Sequence, residues 1–516
     1  MNDFFVSHGP IAGPHSGRQS PFAVLLFAAG FLAATAIAVA QAPQAGPFHF
    51  VGVNECVLCH SNPNLKNDWI SIVVTETWSK DVHSRSHLAL AAENKLTAKI
   101  EATLKIKAGE NRNCVACHTK GSQEPLVPED DEFLKREIIH NGISCETCHG
   151  AGSGYLEHHR KPEWRFKSSI EKEQLGMIDL RNPLLKAENC LSCHLGNVGQ
   201  DKVVTHEMFA AGHPPLPGFE IETFGQAMPA HWRHLTEKPD TIREGARNSS
   251  HKTERGYRTD AVLMGALVAV RESAKLLKDQ AANEELIWPE LSLYDCAACH
   301  HDLRIPSVRQ QRGYGGLVPG RPSPHAWPRE LARLAIAPGT DLETLLNTMT
   351  APLNQRPFGD RAEIAKAAGI VAASLDQEIA KFQQQSWHGQ SPADWYKTHG
   401  ADLLHRLCNL EHPPADLDSA RQLAWLLKLA MNDGAINLDP ASRARFEKLY
   451  DQQLSKPLKL TIDARDRDSD HLLDKPYWEK TLGYSRRYDP EQFAKTMKAI
   501  RALLLPNSEP TTTAEP

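Results

Sequence analysis

The chain has 516 residues, 63 acidic against 58 basic, a formal net charge of -5 and an aromatic content of 7%. That length exceeds one compact core, so two or more domains are expected. Near-neutral charge excludes a general nucleic-acid binder, which needs a basic excess, and long stretches rich in Ala, Leu, Glu, Lys and Gln favour helix over sheet.

Residues 22–40, "FAVLLFAAGFLAATAIAVA", form an uncharged apolar run just after Arg18. It ends in Ala38-Val39-Ala40, the small-x-small pattern of a signal peptidase site. Residues 1–40 are read as an export signal, with an uncleaved membrane anchor as the alternative, because the run is near spanning length. Either way the remainder lies outside the cytoplasm, periplasmic or otherwise exported.

Ten of the 11 cysteines fall into five copies of one pattern: "CVLCH" at 56–60, "CVACH" at 114–118, "CETCH" at 145–149, "CLSCH" at 190–194 and "CAACH" at 296–300. C-x-x-C-H is the attachment pattern of c-type haem. Two thiols add to the haem vinyl groups, and the histidine that follows is held under the iron. Zinc needs ligands gathered in two pairs, and a redox dithiol needs only one pair. Structural disulfides do not require a histidine after every second cysteine. Five covalent haem c groups are therefore expected. Their anchors are Cys56, Cys59, Cys114, Cys117, Cys145, Cys148, Cys190, Cys193, Cys296 and Cys299. Their proximal iron ligands are His60, His118, His149, His194 and His300. The remaining cysteine, Cys408, is read as a buried structural thiol.

An iron with one imidazole stays open to small molecules unless the protein supplies a sixth ligand. Ten more histidines stand between residues 83 and 251: His83, His87, His140, His158, His159, His206, His213, His231, His234 and His251. This clustering points to bis-histidine haems. With 8 methionines in the whole chain, His/Met ligation is disfavoured. Spacing alone pairs none of these histidines with a given haem.

The segment from about 53 to 302 resembles multihaem cytochromes of the cytochrome c-554 type, relatives of hydroxylamine oxidoreductase and pentahaem nitrite reductase. Three passages carry the resemblance beyond the haem motifs. "ETWSKDVHSRSHLALA" (76–91) resembles a W-x-x-x-x-H segment that lands on His83. "GISCETCHGAGSGYLEHH" (142–159) resembles a glycine-containing haem motif followed by an aromatic residue and a distal histidine, and the spacing from Tyr155 favours His159 over His158. "VTHEMFAAGHPPLPGFEIETF" (204–224) resembles a histidine-rich stretch that offers His206 and His213. The distal candidates chosen are His83, His140, His159, His206 and His213. The resemblance implies a mainly α fold, a multihaem cytochrome core with long irregular connections, and haems packed closely enough to pass electrons.

The pentahaem domain is placed at 41–310, and a Gly/Pro-rich linker at 311–330. A C-terminal helical domain follows at 331–506, then a disordered tail at 507–516. Asp439-Pro440 and Asp489-Pro490 put a capping residue before a proline at the first helical position, and Gln492 stands where a capping-box partner would. Residues 360–385 and 417–434 carry helical periodicity, the second ending at Gly434. The expected function is electron relay between redox protein partners, with no nucleic acid and no identifiable catalytic residue. A multihaem oxidoreductase with one five-coordinate haem, acting on a small nitrogen or sulfur compound, is the alternative.

Overall fold

The computed structural model describes residues 48–62, 74–119, 141–232, 257–314, 317–336, 342–387, 392–410, 412–462 and 477–506. The expected export signal, His140, His234, His251 and the expected tail lie outside the described residues. The described chain is mainly α, with two isolated bridges, Asn197 to Lys202 and Tyr294 to Pro324, as its β pairing. No helix among the described residues is long and apolar enough to cross a membrane.

Four of the five cysteine motifs close a short helix: Val53–His60, Arg112–His118, Cys145–His149 and Pro183–His194. On a helix, positions i, i+3 and i+4 share one face, so both thiols and the imidazole point the same way. Asn111 caps the second of these helices through the amides of Asn113 and Cys114, and Asn182 caps the fourth with Pro183 at its first position. The fifth motif takes a tighter 3-10 turn, Cys296–Ala298, where i and i+3 eclipse. Asp295 caps it at the amide of Ala297.

The longest-range organiser is the Tyr257–Ala282 helix. Its positions 259–271 are all buried, as expected of a helix that is apolar on every side. It packs on Pro183–His194, Trp327–Ala335, Arg361–Trp387 and Leu417–Asp433. One hydrophobic core therefore runs from Ala187 and Leu191, beside the fourth motif, through Leu263 and Leu267 to Leu375 and Leu426. Arg271, only 4% exposed, pairs with Glu188 at 2.5 Å, Glu272 at 2.7 Å and Asp376 at 3.2 Å. It ties the fourth-motif helix to Arg361–Trp387. The stretch expected as a linker contributes Leu317 and Trp327 to the same core.

The C-terminal helices start and stop where their caps stand. Asp416 caps Leu417–Asp433, and Gly434 ends it at φ 87°, a left-handed conformation that glycine adopts freely. Asp439 and Asp489 cap Pro440–Tyr450 and Pro490–Leu504. The capping box is incomplete at the second: Asp489 accepts from the Gln492 amide, but the Gln492 side chain donates to Gln453 and Thr496 instead of reaching back. Cys408 is buried in the common core.

Candidate functional site

Each motif histidine faces one further histidine across a nearly constant gap. His60 faces His159 with ring centres 6.4 Å apart, His118 faces His213 at 6.3 Å, and His149 faces His231 at 6.4 Å. His194 faces His83 at 6.2 Å, and His300 faces His206 at 6.2 Å. These rings do not touch, so packing does not explain a repeat this narrow. A first-row metal binds imidazole at about 2 Å, and a ring nitrogen lies about 1.15 Å from its ring centre, so two imidazoles sharing one ion sit roughly 6.3 Å apart. Five gaps thus fit one iron each.

Four of the unused ring nitrogens are held in ways that fix the rings, whereas Nδ1 of His60 and of His231 is buried with no hydrogen-bond partner among the described residues. The Asp81 carboxylate is 3.0 Å from Nδ1 of His83. Nδ1 of His118 lies 3.1 Å from the Ser86 carbonyl, Nδ1 of His159 2.6 Å from that of Leu156, and Nδ1 of His213 2.8 Å from that of Pro214. Such outer contacts set the tautomer and leave Nε2 for a metal. Burial pushes His149 down to about 4 and His213 down to about 4, and lowers His60 and His231 as well. At neutral pH these rings are neutral, the form that donates to a metal.

Of the distal candidates, His83, His159, His206 and His213 stand in these pairs, while His140 is not among the described residues. The chosen set omitted His231, which faces His149. Pro229-Ala230-His231-Trp232 carries no spacing signal, and only its place in the histidine-rich stretch pointed to it. His158 is exposed and His87 is in none of the five pairs.

The motifs also meet one another. Glu146, buried inside the third motif, accepts from the amides of Val51 at 3.0 Å, Gly52 at 2.9 Å and Gly152 at 2.7 Å. That ties the approach to the first motif onto the third. The Cys145 hydrogen bond then drives the unmodified Cys56 thiol upward, and Cys145 is pushed down in return. Cys117 and Cys193 form the same kind of couple between the second and fourth motifs. Gly142, at φ 60°, lets this chain pass close to the His83 and Ser84 carbonyls, where a Cβ would come within 2.7 Å. The Ile143 amide donates to the His83 carbonyl at 2.9 Å, and Trp78 Nε1 donates to the Ile143 carbonyl at 3.2 Å.

A model of the family described as cytochrome c554 and c-prime matches residues 55–150, which hold the first three motifs. Cytochrome c-554 of Nitrosomonas europaea is 24% identical over 188 residues, covering 34% of this chain and 70% of that protein. No solved structure matches. Over this part the chain is similar to multihaem cytochromes of the cytochrome c-554 type.

Proposed function

We propose that the chain is an exported pentahaem cytochrome whose irons are each held between two histidines, and that it relays electrons between redox protein partners. The observation that carries this reading is the set of five imidazole pairs, 6.2 to 6.4 Å apart, each made of one motif histidine and one other. The pairs are His60 with His159, His118 with His213, His149 with His231, His194 with His83, and His300 with His206. The haem supplies a one-electron iron centre. The chain's own residues would anchor it through the ten motif cysteines, offer it an imidazole from either side of each gap and shape its surroundings. An iron filled on both faces has no site for substrate, so it passes charge and does no bond chemistry. This favours relay over the oxidoreductase alternative, which needs an open iron. The apolar run at 22–40, with its small-x-small end, supports a periplasmic location.

The test is intact mass of the mature protein together with low-temperature EPR integrated by spin state. Five haems and low-spin ferric signals alone are expected. A high-spin component worth one haem would overturn full ligation. In addition, His231→Ala should convert one haem in five to high spin, that of the third motif.

A further inference from the structure

We propose that the C-terminal helices form a wall of the fifth haem's pocket, and that the Arg329 guanidinium in that wall pairs with a haem propionate. This rests on the five-haem reading above. A cavity of about 370 Å³ lies beside Cys296 and His300 of the fifth motif, and His194 of the fourth motif lines it from another side. Three C-terminal helices line it. Trp327 and Arg329 come from Trp327–Ala335, Arg421 and Trp425 from Leu417–Asp433, and Tyr484 and Arg486 from Tyr477–Arg487.

Arg329 carries the argument. Its Nε is closed off from solvent and has no hydrogen-bond partner among the described residues. Burial works against its charge. A guanidinium cannot escape by losing its proton, so a buried one needs an anion. The rest of the wall is short of anions too. It carries five arginines, Arg309, Arg312, Arg329, Arg421 and Arg486, and Lys459, against Asp295, Asp416 and Asp418. Arg421 is already paired with Asp418 at 3.0 Å, and Arg312 donates to the Ser485 and Tyr488 carbonyls at 2.7 Å each. Burial pushes Asp416 up to about 7, which weakens it further as a counter-charge. Haem c brings two carboxylates with it, and a fork of guanidinium N–H donors matches a carboxylate geometrically. A C-terminal half that merely followed the cytochrome would have no reason to aim a half-buried guanidinium with an unpartnered Nε into a haem-motif cavity.

The test is spectroelectrochemical titration of the full holoprotein carrying Arg329→Gln, Arg329→Lys or Arg421→Gln. The fifth haem's wave is assigned as the one missing when Cys296→Ala and Cys299→Ala abolish its motif. Removing a positive charge near a propionate favours the ferric form. In Arg329→Gln the fifth wave should fall by up to a tenfold change in reduction equilibrium, about 59 mV for one electron. The first three waves should stay in place, the fourth should move less than the fifth because His194 also lines the cavity, and Arg329→Lys should restore most of the shift. Arg421→Gln, which frees Asp418 to face the pocket, should move the same wave the same way and serves if Arg329→Gln does not accumulate. Five attached haems with no wave displaced in any of these variants would overturn the pairing. A mass showing only four haems, with the fifth motif unmodified, would instead overturn the five-haem reading.

Discussion

The haem-motif segment up to 232 and the helices built around Tyr257–Ala282 solve the problem of a core in different ways. Around the long helix the core is side chains: Leu267, Leu375, Leu426 and Phe446 are each at most 1% exposed. In the earlier segment fully buried apolar side chains are sparse, and none of the motif cysteines is fully buried. Its order comes from polar ties such as Glu146 to three amides and from pairs of imidazoles facing across gaps. The lesson is that one region holds its stability in its own sequence, whereas the other leaves the centre of its core to a cofactor. On the proposed reading, a large planar apolar group filling those gaps would take the place that leucines take elsewhere.

The largest expected effect breaks the comparison outright. If the chain is produced without haem attachment, the described residues between 48 and 177 should lose cooperative structure, while Pro183–His194 and the helices packed around Tyr257–Ala282 keep it. Hydrogen exchange read by mass spectrometry checks this. Fast exchange through the first segment and slow exchange in Tyr257–Ala282 and Leu417–Asp433 is the expected pattern. Equal protection in both would mean that side chains alone hold the first region.

Next comes the joint between them. Arg271 is buried and bridges Glu188 beside the fourth motif to Asp376 on the C-terminal side. Arg271→Ala leaves these half-exposed carboxylates without their partner and should cost about 1–3 kcal/mol. Urea unfolding of the holoprotein, followed by helix signal and haem absorbance together, is the measurement. The two signals should separate in the variant if Arg271 is what makes the regions unfold together. A loss under about 1 kcal/mol would show that the apolar core alone does that work.

The two regions also differ in how much of them could be read in advance. Haem anchors are legible because a covalent attachment needs thiols and imidazole at fixed local spacing. The capped helices are legible for the same reason: Asp439-Pro440 and Gly434 act within one turn. The histidines that face the motifs are another matter. His83 stands ahead of the second motif yet faces the histidine of the fourth, and His159 follows the third yet faces that of the first. A metal gathers ligands in space, with no rule linking them along the chain, so His231 carried no mark. The stretch at 311–330 is a further case. Its Gly and Pro content signals irregular backbone, which can be a free linker or, as with Leu317 and Trp327, an irregular wall of a core.

The smallest expected effect lies at a single ring nitrogen. Asp81 is buried, which opposes its ionisation. Hydrogen bonds from the His83 side chain and backbone outweigh that and hold its carboxyl below the ordinary value. An anion accepting from Nδ1–H pushes electron density onto the ring and makes Nε2 a stronger donor, which favours ferric over ferrous iron. Asp81→Asn keeps an acceptor oxygen but removes the charge. The potential of the haem proposed between His83 and His194 should therefore rise, by less than a tenfold change in its equilibrium, about 59 mV. The other four should move less, since the charge is screened over about 8–10 Å. A fall, or an equal rise in all five, would mean that Asp81 only shapes the loop and does not tune the iron through His83.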